Sequence, residues 1–388
     1  MIYLELLFWF LLALLFYLYF GYPLTLFLLS FFKKDVCSWN QGEYYPTVSL
    51  IIPAFNEEKV LEKKILNVLK LDYPPEKLEV WIMSDGSTDK TDSIAEKYVS
   101  DRIHLYRQEP RQGKTAGLNK VVSRCKHDII VFTDANSMYK VNSLKYLTAP
   151  FQDSQIGLVC GKLTYLNIKD GTECREGLYW KYEDMLKRLE SKLGQVLVVN
   201  GSIYAIRKEL FEPFPSFIAD DFGNPMIIGS SGCKLVYEPR AQVFEHAAAS
   251  TGEEFRTKKR IITRGLFGTL VLRHRILQSP FLRIFEFLFH KLLRWHVPFV
   301  LFLLLVMNLP LFLHRFPLYC LTFLFQLVFY SLAFLGFLFR NKEENILKKA
   351  IMVPYYFCEV NAAAFMAFGR FFRNKPQATW ESARSTRK

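Results

Sequence analysis

No two cysteines of this chain stand at C-x-x-C spacing; the seven (Cys37, Cys125, Cys160, Cys174, Cys233, Cys320, Cys358) are scattered singly and odd in number. That pattern argues against a zinc ribbon and a paired disulfide framework, and reads as reduced, mostly buried thiols in a cytosolic setting. Neither G-x-G-x-x-G nor G-x-x-x-x-G-K-[ST] occurs, so dinucleotide-binding and P-loop folds lose their main support. Acidic side chains are the minority, 37 against 50 basic ones, for a formal net charge of +13. Such a surplus fits nucleic acid, an anionic membrane surface or phosphate-bearing ligands. Many basic residues flank apolar runs and no aromatic RNA-binding signature is present. The charge is therefore read as serving the lipid bilayer and ligand phosphates, with no nucleic acid partner.

Charge is missing altogether from residues 6–32, a run long enough to cross ~30 Å of hydrocarbon as a helix. A cleaved signal peptide carries a basic start and a small-residue cleavage site; here the start is Met-Ile-Tyr-Leu-Glu and Lys33 and Lys34 follow the apolar run. Residues 1–34 are thus expected to be a transmembrane anchor with the N-terminus outside and the following domain cytosolic. Two more spans are expected at 297–313 and 318–339, joined so closely at His314, Arg315 and Phe316 that 297–340 forms a hairpin with its tip outside. Residues 276–296 mix aromatics with Arg283, His290, Lys291 and Arg294, as a helix lying in the headgroup layer does. In 341–388, the apolar stretch 350–369 holds Pro354, Glu359 and Asn361, which are costly in lipid. An interfacial or re-entrant helix is favoured there over a fourth span, followed by a basic cytosolic tail.

Between the membrane segments, residues 45–275 alternate strand-length apolar runs with helical periodicity. Thr47–Pro53, Leu78–Ser84, Arg102–Arg107 and Asp128–Thr133 read as buried parallel strands; 57–70, 89–100 and 112–124 read as the helices between them. Such a sheet binds ligands at the carboxyl ends of its strands. Polar clusters follow three of the four strands: Asn56-Glu57-Glu58, Asp85-Gly-Ser-Thr-Asp89 and Asp134-Ala-Asn136. Each alone is equally a turn, an Asx turn or a helix cap. All three on one rim favour a shared ligand.

The segment Val48-Ser-Leu-Ile-Ile-Pro53-Ala-Phe-Asn-Glu57, followed by Ser84-Asp85-Gly-Ser-Thr-Asp89 and Gly113-Lys114-Thr-Ala-Gly-Leu-Asn119, resembles the family 2 glycosyltransferases over residues 47–270. The membrane layout is similar to the branch of cellulose, hyaluronan and poly-N-acetylglucosamine synthases. The resemblance implies an α/β GT-A fold, Rossmann-like with a mostly parallel sheet, and an inverting transfer from a nucleotide-sugar donor. It places Pro53, Glu57 and Asp85 at the nucleoside, with Asp85 accepting from a uracil imide, and Lys114 at the diphosphate. Asp134 would hold Mg²⁺ or Mn²⁺; Asn136 stands where the family has a second acid, so an amide oxygen replaces a carboxylate. Asp221, with Asp220 beside it, matches the family's acidic pair whose second member is the base. Gly201 falls in the glycine-rich element closing over the donor sugar.

Arg264 matches the arginine of the Gln-x-x-Arg-Trp motif of processive synthases, although Ile261 and Gly265 replace the glutamine and tryptophan. Arg260 and Arg264 are one helical turn apart and would face the diphosphate together. Tyr179 and Trp180 are candidates for stacking on an acceptor, or equally for core; Trp380 lies in a tail that resembles those of related membrane enzymes. The acceptor is expected to be a lipid or glycan at the plasma (inner) membrane. A processive synthase that also translocates its product and a degenerate nucleotide-binding subunit are the alternatives; a nucleotidyltransferase is disfavoured by the missing glycine-rich signature.

Overall fold

The protein is described by a computed structural model covering residues 2–33, 44–166, 178–247, 251–314, 317–340 and 346–379. It opens with two helices, α1 (Ile2–Phe16) and α2 (Tyr22–Ser30), joined through one π turn at Tyr17–Gly21. The first compact unit, which carries the chemistry, follows. Its strands are β1 (Val48–Ala54), β2 (Leu78–Ser84), β3 (Ile103–Arg107), β4 (Ile129–Thr133), β5 (Met138–Tyr139), β6 (Ile156–Leu166), β7 (Ile203–Arg207) and β8 (Lys234–His246). The helices between them are α3 (Leu61–Leu69), α4 (Thr91–Glu96), α5 (Lys114–Val122), α6 (Ser143–Thr148), α7 (Leu178–Lys192) and α8 (Asp220–Ser230).

One eight-stranded sheet runs in the order β3-β2-β1-β4-β7-β6-β8-β5. β1, β2, β3 and β4 are parallel, as the buried apolar runs predict. β7 lies antiparallel between β4 and β6, and β5 antiparallel on the edge of β8, so the sheet is mixed in its second half. Two apolar layers cover its faces. One places Leu61, Ile65 and Val68 of α3 against Leu50, Ile52 and Val131; the other places Leu118, Val121 and Val122 of α5 against Ile51, Met83 and Phe132. Burying that much apolar surface on both faces of one sheet is the main source of its stability. The reversal of β7 sends its first residue, Ile203, to the rim where β4 ends at Thr133. β8, parallel to β6, finishes on that same rim with Glu245 and His246.

The remaining helices are α9 (Thr251–Val271), α10 (Arg273–Gln278), α11 (Phe281–Glu286), α12 (Leu293–Leu313), α13 (Pro317–Phe339) and α14 (Ile346–Phe372). The second compact unit gathers residues 1–25, 254–263 and 286–375. Four helices are long and apolar enough to cross a membrane: Ile2–Ser30, Phe281–Leu313, Pro317–Phe339 and Ala350–Phe372. Where the sequence reading sets a separate interface helix over 276–296, the backbone ends α10 at Gln278 and then continues through a π turn from α11 into α12. Ser279 and Pro280 supply the break. α14 runs unbroken past Pro354, with no re-entrant turn among its described residues. Within this unit the polar side chains pair with each other, as lipid requires. Asn308 donates to Gln326 at 2.9 Å, Thr322 donates to Asn308 at 3.1 Å, and Tyr355 donates to Glu359 at 2.8 Å.

Candidate active site

The clusters after β1 and β2 are knitted to each other. Asn56, in the left-handed region at φ 53°, accepts from the Thr88 amide at 2.9 Å, and the Glu57 amide donates to Thr91 at 2.8 Å. Asp89 accepts from the Thr91 amide at 2.9 Å in the turn that leads into α4, so this acid has a structural role, as the turn reading assigns. Pro53 lies inside β1, paired with Met83. Glu57 is buried at the strand end.

Asp85 is fully buried and its carboxylate is already engaged. It accepts from Gln108 at 2.6 Å, from the Gln112 amide at 3.0 Å and from the Gly113 amide at 3.0 Å, while Arg111 approaches to 3.5 Å. The expected uracil acceptor therefore organises the 108–113 loop in this structure. Arg111, which the sequence reading missed, lies with its guanidinium 3.4 Å from the Phe55 ring centroid. Nothing marks it in sequence, because Phe55 and Asp85 reach it from the ends of β1 and β2.

The Gly-Lys-x-x-x-Leu-Asn element becomes the start of α5. Lys114 faces the rim; Thr115 donates to the Ile218 carbonyl and Asn119 to the Phe214 carbonyl, both at 2.8 Å. One helix thus carries a cation and pins the loop that leads into Asp220 and Asp221. Arg264 reinforces the same loop, donating to the carbonyls of Phe217 at 3.0 Å and Ile218 at 2.8 Å and to Thr115 at 3.2 Å. Arg264 is a buried brace for the acidic pair, and Arg260 belongs to the part of α9 grouped with the membrane helices.

Lys114, Asp134, Asp220, Asp221 and Gly201 converge. The Lys114 ammonium is 2.9 Å from Asp134 and 3.4 Å from Asp220, which also accepts from the Tyr204 hydroxyl at 3.0 Å. A Cβ added to Gly201 would stand 3.4 Å from the Asp221 carboxylate and 3.7 Å from the Lys114 ammonium, so a larger side chain there would enter the cluster. Ser202 donates to Asp134 at 3.2 Å and also to Glu245 at the end of β8. Glu245 is a second residue that sequence reasoning missed, brought to the rim by a strand more than a hundred residues after Asp134.

Burial, then the neighbouring Asp220, push the Asp221 carboxyl up to about 6, although Lys114 and Arg264 oppose the rise. Burial opposes the charge on Lys114, but Asp134, Asp220 and Asp221 together hold its ammonium above the usual range. Burial and Asp134 likewise raise Glu245.

Among the described residues no three His, Cys, Asp or Glu side chains are grouped to enclose an ion. The donors present are the Asp134 carboxylate and the Asn136 amide. That short all-oxygen set fits a hard divalent cation such as Mg²⁺ or Mn²⁺. A cavity of about 320 Å³ lies beside them, with Lys63, Asn136, Glu245 and His246 as its polar lining. Trp180 is 39% exposed on α7, edge-on to Tyr165 at 5.2 Å and Tyr179 at 5.8 Å, so it is not core. Trp380 lies outside the described residues.

The fold, a mostly parallel α/β sheet with helices on both faces, is of the GT-A type. The mannosyltransferase PcManGT from Pyrobaculum calidifontis, solved with GDP-Man and Mn²⁺, shares that fold, with a TM-score of 0.70 over 94% of this chain and 98% of that one at 21% identity. Residues 49–214 match the Glycosyl transferase family 2 model, and this chain carries a domain of that family. Relatives include Bacillus subtilis YdaM, 26% identical over 55% of this chain and 54% of its own length. The beta-monoglucosyldiacylglycerol synthase of Nostoc sp. is 34% identical over 32% of this chain and 28% of its own length. The poly-beta-1,6-N-acetyl-D-glucosamine synthase of Staphylococcus aureus is 24% identical over 58% and 57%. The chain thus spans about half or less of the length of these curated relatives.

Proposed function

We propose that this chain is an inverting transferase of the membrane that moves a sugar from a nucleoside-diphosphate donor to a lipid or glycan acceptor. The observation that carries the reading is the lysine held between Asp134 and Asp220 with Asp221 alongside. Lys114 would turn from its acid partners to the donor diphosphate and offset the charge that builds on the leaving group. Asp134 and Asn136 would hold a divalent cation, which when bound supplies Lewis-acid stabilisation of the departing nucleotide. Asp221 would take the acceptor hydroxyl's proton as the oxygen attacks the anomeric carbon from the face opposite the nucleotide. The raised pKa of Asp221 strengthens its carboxylate as a base. Gly201 leaves room for the sugar beside both groups, and the aromatic surface of Trp180 and Tyr165 suits a sugar acceptor.

The same reading sets the catalytic unit on the cytosolic face of the plasma (inner) membrane, supported by Lys33 after the first apolar helix and Arg340 after the third. Asp85, on which a uracil preference would rest, is taken up by its own loop. UDP- and GDP-sugars therefore enter the test on equal terms. Nucleotide release from detergent-purified protein is measured across both donor panels with Mn²⁺ or Mg²⁺. One donor should give release, and Asp221→Asn should lower its rate by roughly 10²–10⁴-fold while donor binding stays. Undiminished release in the variant would move the base elsewhere. Donor binding without release, even with lipid extract as acceptor, would support the non-catalytic subunit.

A further inference from the structure

We infer that Lys64, on a face of α3 otherwise given to the core, is a positioning residue that fixes Asp134 and Asn136 where a metal–diphosphate unit would meet them. The inference rests on the reading of those two residues as cation ligands.

Leu61, Ile65 and Val68 show the buried face of α3, and Lys64 shares it with no exposure at all. A lone ammonium there would be strongly unfavourable, so what it binds is informative. It donates to the Thr133 hydroxyl at 2.8 Å and to the Ser137 carbonyl at 2.6 Å, and reaches the Ser137 hydroxyl at 3.4 Å. The Tyr139 ring lies below it, 4.4 Å from the centroid. All four contacts fall on the segment 133–139, which contains both proposed ligands.

That segment is poorly held by the sheet. β4 pairs with β1 and β7, whereas β5 pairs with β8 at the far edge, so the residues between cross the rim without a strand partner. α3 supplies the missing support from beneath. One turn after Lys64, Asn67 donates to the Tyr139 carbonyl at 2.9 Å and accepts from its amide at 2.8 Å. Lys64 holds the other end. The Ser137 hydroxyl that it touches donates to the Asp134 carbonyl at 2.7 Å and accepts from the Asp134 amide at 3.3 Å. Two hydrogen bonds therefore link the ammonium to the backbone of Asp134. Asp134 and Glu245 both favour its charged form, while burial pulls its pKa down to about 7. The arrangement is that of an outer-shell partner, which orients a ligand without touching the ion.

The test uses full-length protein in detergent, Mn²⁺ as the cation and UDP or GDP as the diphosphate, read by calorimetric titration. Lys64→Met should weaken Mn²⁺ binding in the presence of nucleotide by roughly 10- to 100-fold. Nucleotide affinity without metal should stay within about twofold, a split that a general loss of packing would not give. Mn²⁺ affinity unchanged in Lys64→Met would overturn the inference while leaving the ligand reading intact. Absence of Mn²⁺ binding in the wild type would overturn both. Should Lys64→Met lose its melting transition, Thr133→Val keeps the lysine and removes one acceptor. A several-fold loss of Mn²⁺ affinity in Thr133→Val upholds the inference, and wild-type affinity there rejects it.

Discussion

Asp221 sits where opposing influences on a carboxyl compete: burial and Asp220 favour the neutral form, while Lys114 and Arg264 favour the anion. The first pair wins, placing the group near 6 rather than the ordinary ~3.9 of aspartate. A base must be ionised to accept a proton, so turnover should fall as pH drops through about 6 and level off above about 7. An acid limb near 4 in the kcat profile would show that the proton acceptor is a group with an unperturbed pKa. At this scale the sequence carries much of the site. Lys114, Asp134, Asp220 and Asp221 stand in compact motifs, and the fold brings all four together. Lys64, Ser202 and Glu245 are illegible for a physical reason. Lys63-Lys64 looks like a solvated pair on a helix, and only the arrival of β4 and β8 gives Lys64 and Glu245 their partners.

Between residues and fold, the four parallel strands and their helices are readable because buried strands and amphipathic helices leave different periods. β7 is not readable as antiparallel, since Ile203–Arg207 is a short apolar run that fits either direction. Its reversal is what delivers Gly201 and Ser202 to the rim. The turn before it is held by Asn200, which donates to the Gly161 carbonyl at 3.0 Å and accepts from Lys187 at 2.7 Å. Gly161 marks the register shift between β6 and β8, and a Cβ there would come within 2.7 Å of the Ala241 carbonyl oxygen and of Ile203. Neither a backbone oxygen nor a strand can retreat cheaply. Gly161→Ala should therefore cost about 1–3 kcal/mol. It should lower the melting temperature of the catalytic unit by several degrees, and reduce turnover without altering any group in the acid cluster. A variant with the wild-type melting temperature would show that β6 and β8 have slack at the shift.

Taken as a whole, the chain leaves the catalytic unit, passes three helices able to cross a membrane, and comes back. The return is visible at Gly113, where φ is 95° and an added Cβ would collide with the carbonyl of Ala378. Residues 376–379 and Gly113 belong to the same compact unit. If that unit lies on one side of a membrane, the number of complete crossings between residues 281 and 372 is even. α12 and α13 are joined by so short a link that they are expected to cross as a pair, so the prediction is that α14 does not cross. Its composition agrees, with Glu359 and Asn361 midway along it and Tyr356 donating to Glu254 at 3.1 Å. Length and apolar character alone would have counted it as a span. On that prediction, green fluorescent protein fused after Lys388 should be fluorescent in cells, and alkaline phosphatase fused after His314 should be active. A dark C-terminal fusion with an active phosphatase at 314 would mean that α14 crosses. The Gly113 contact could not then form in the membrane.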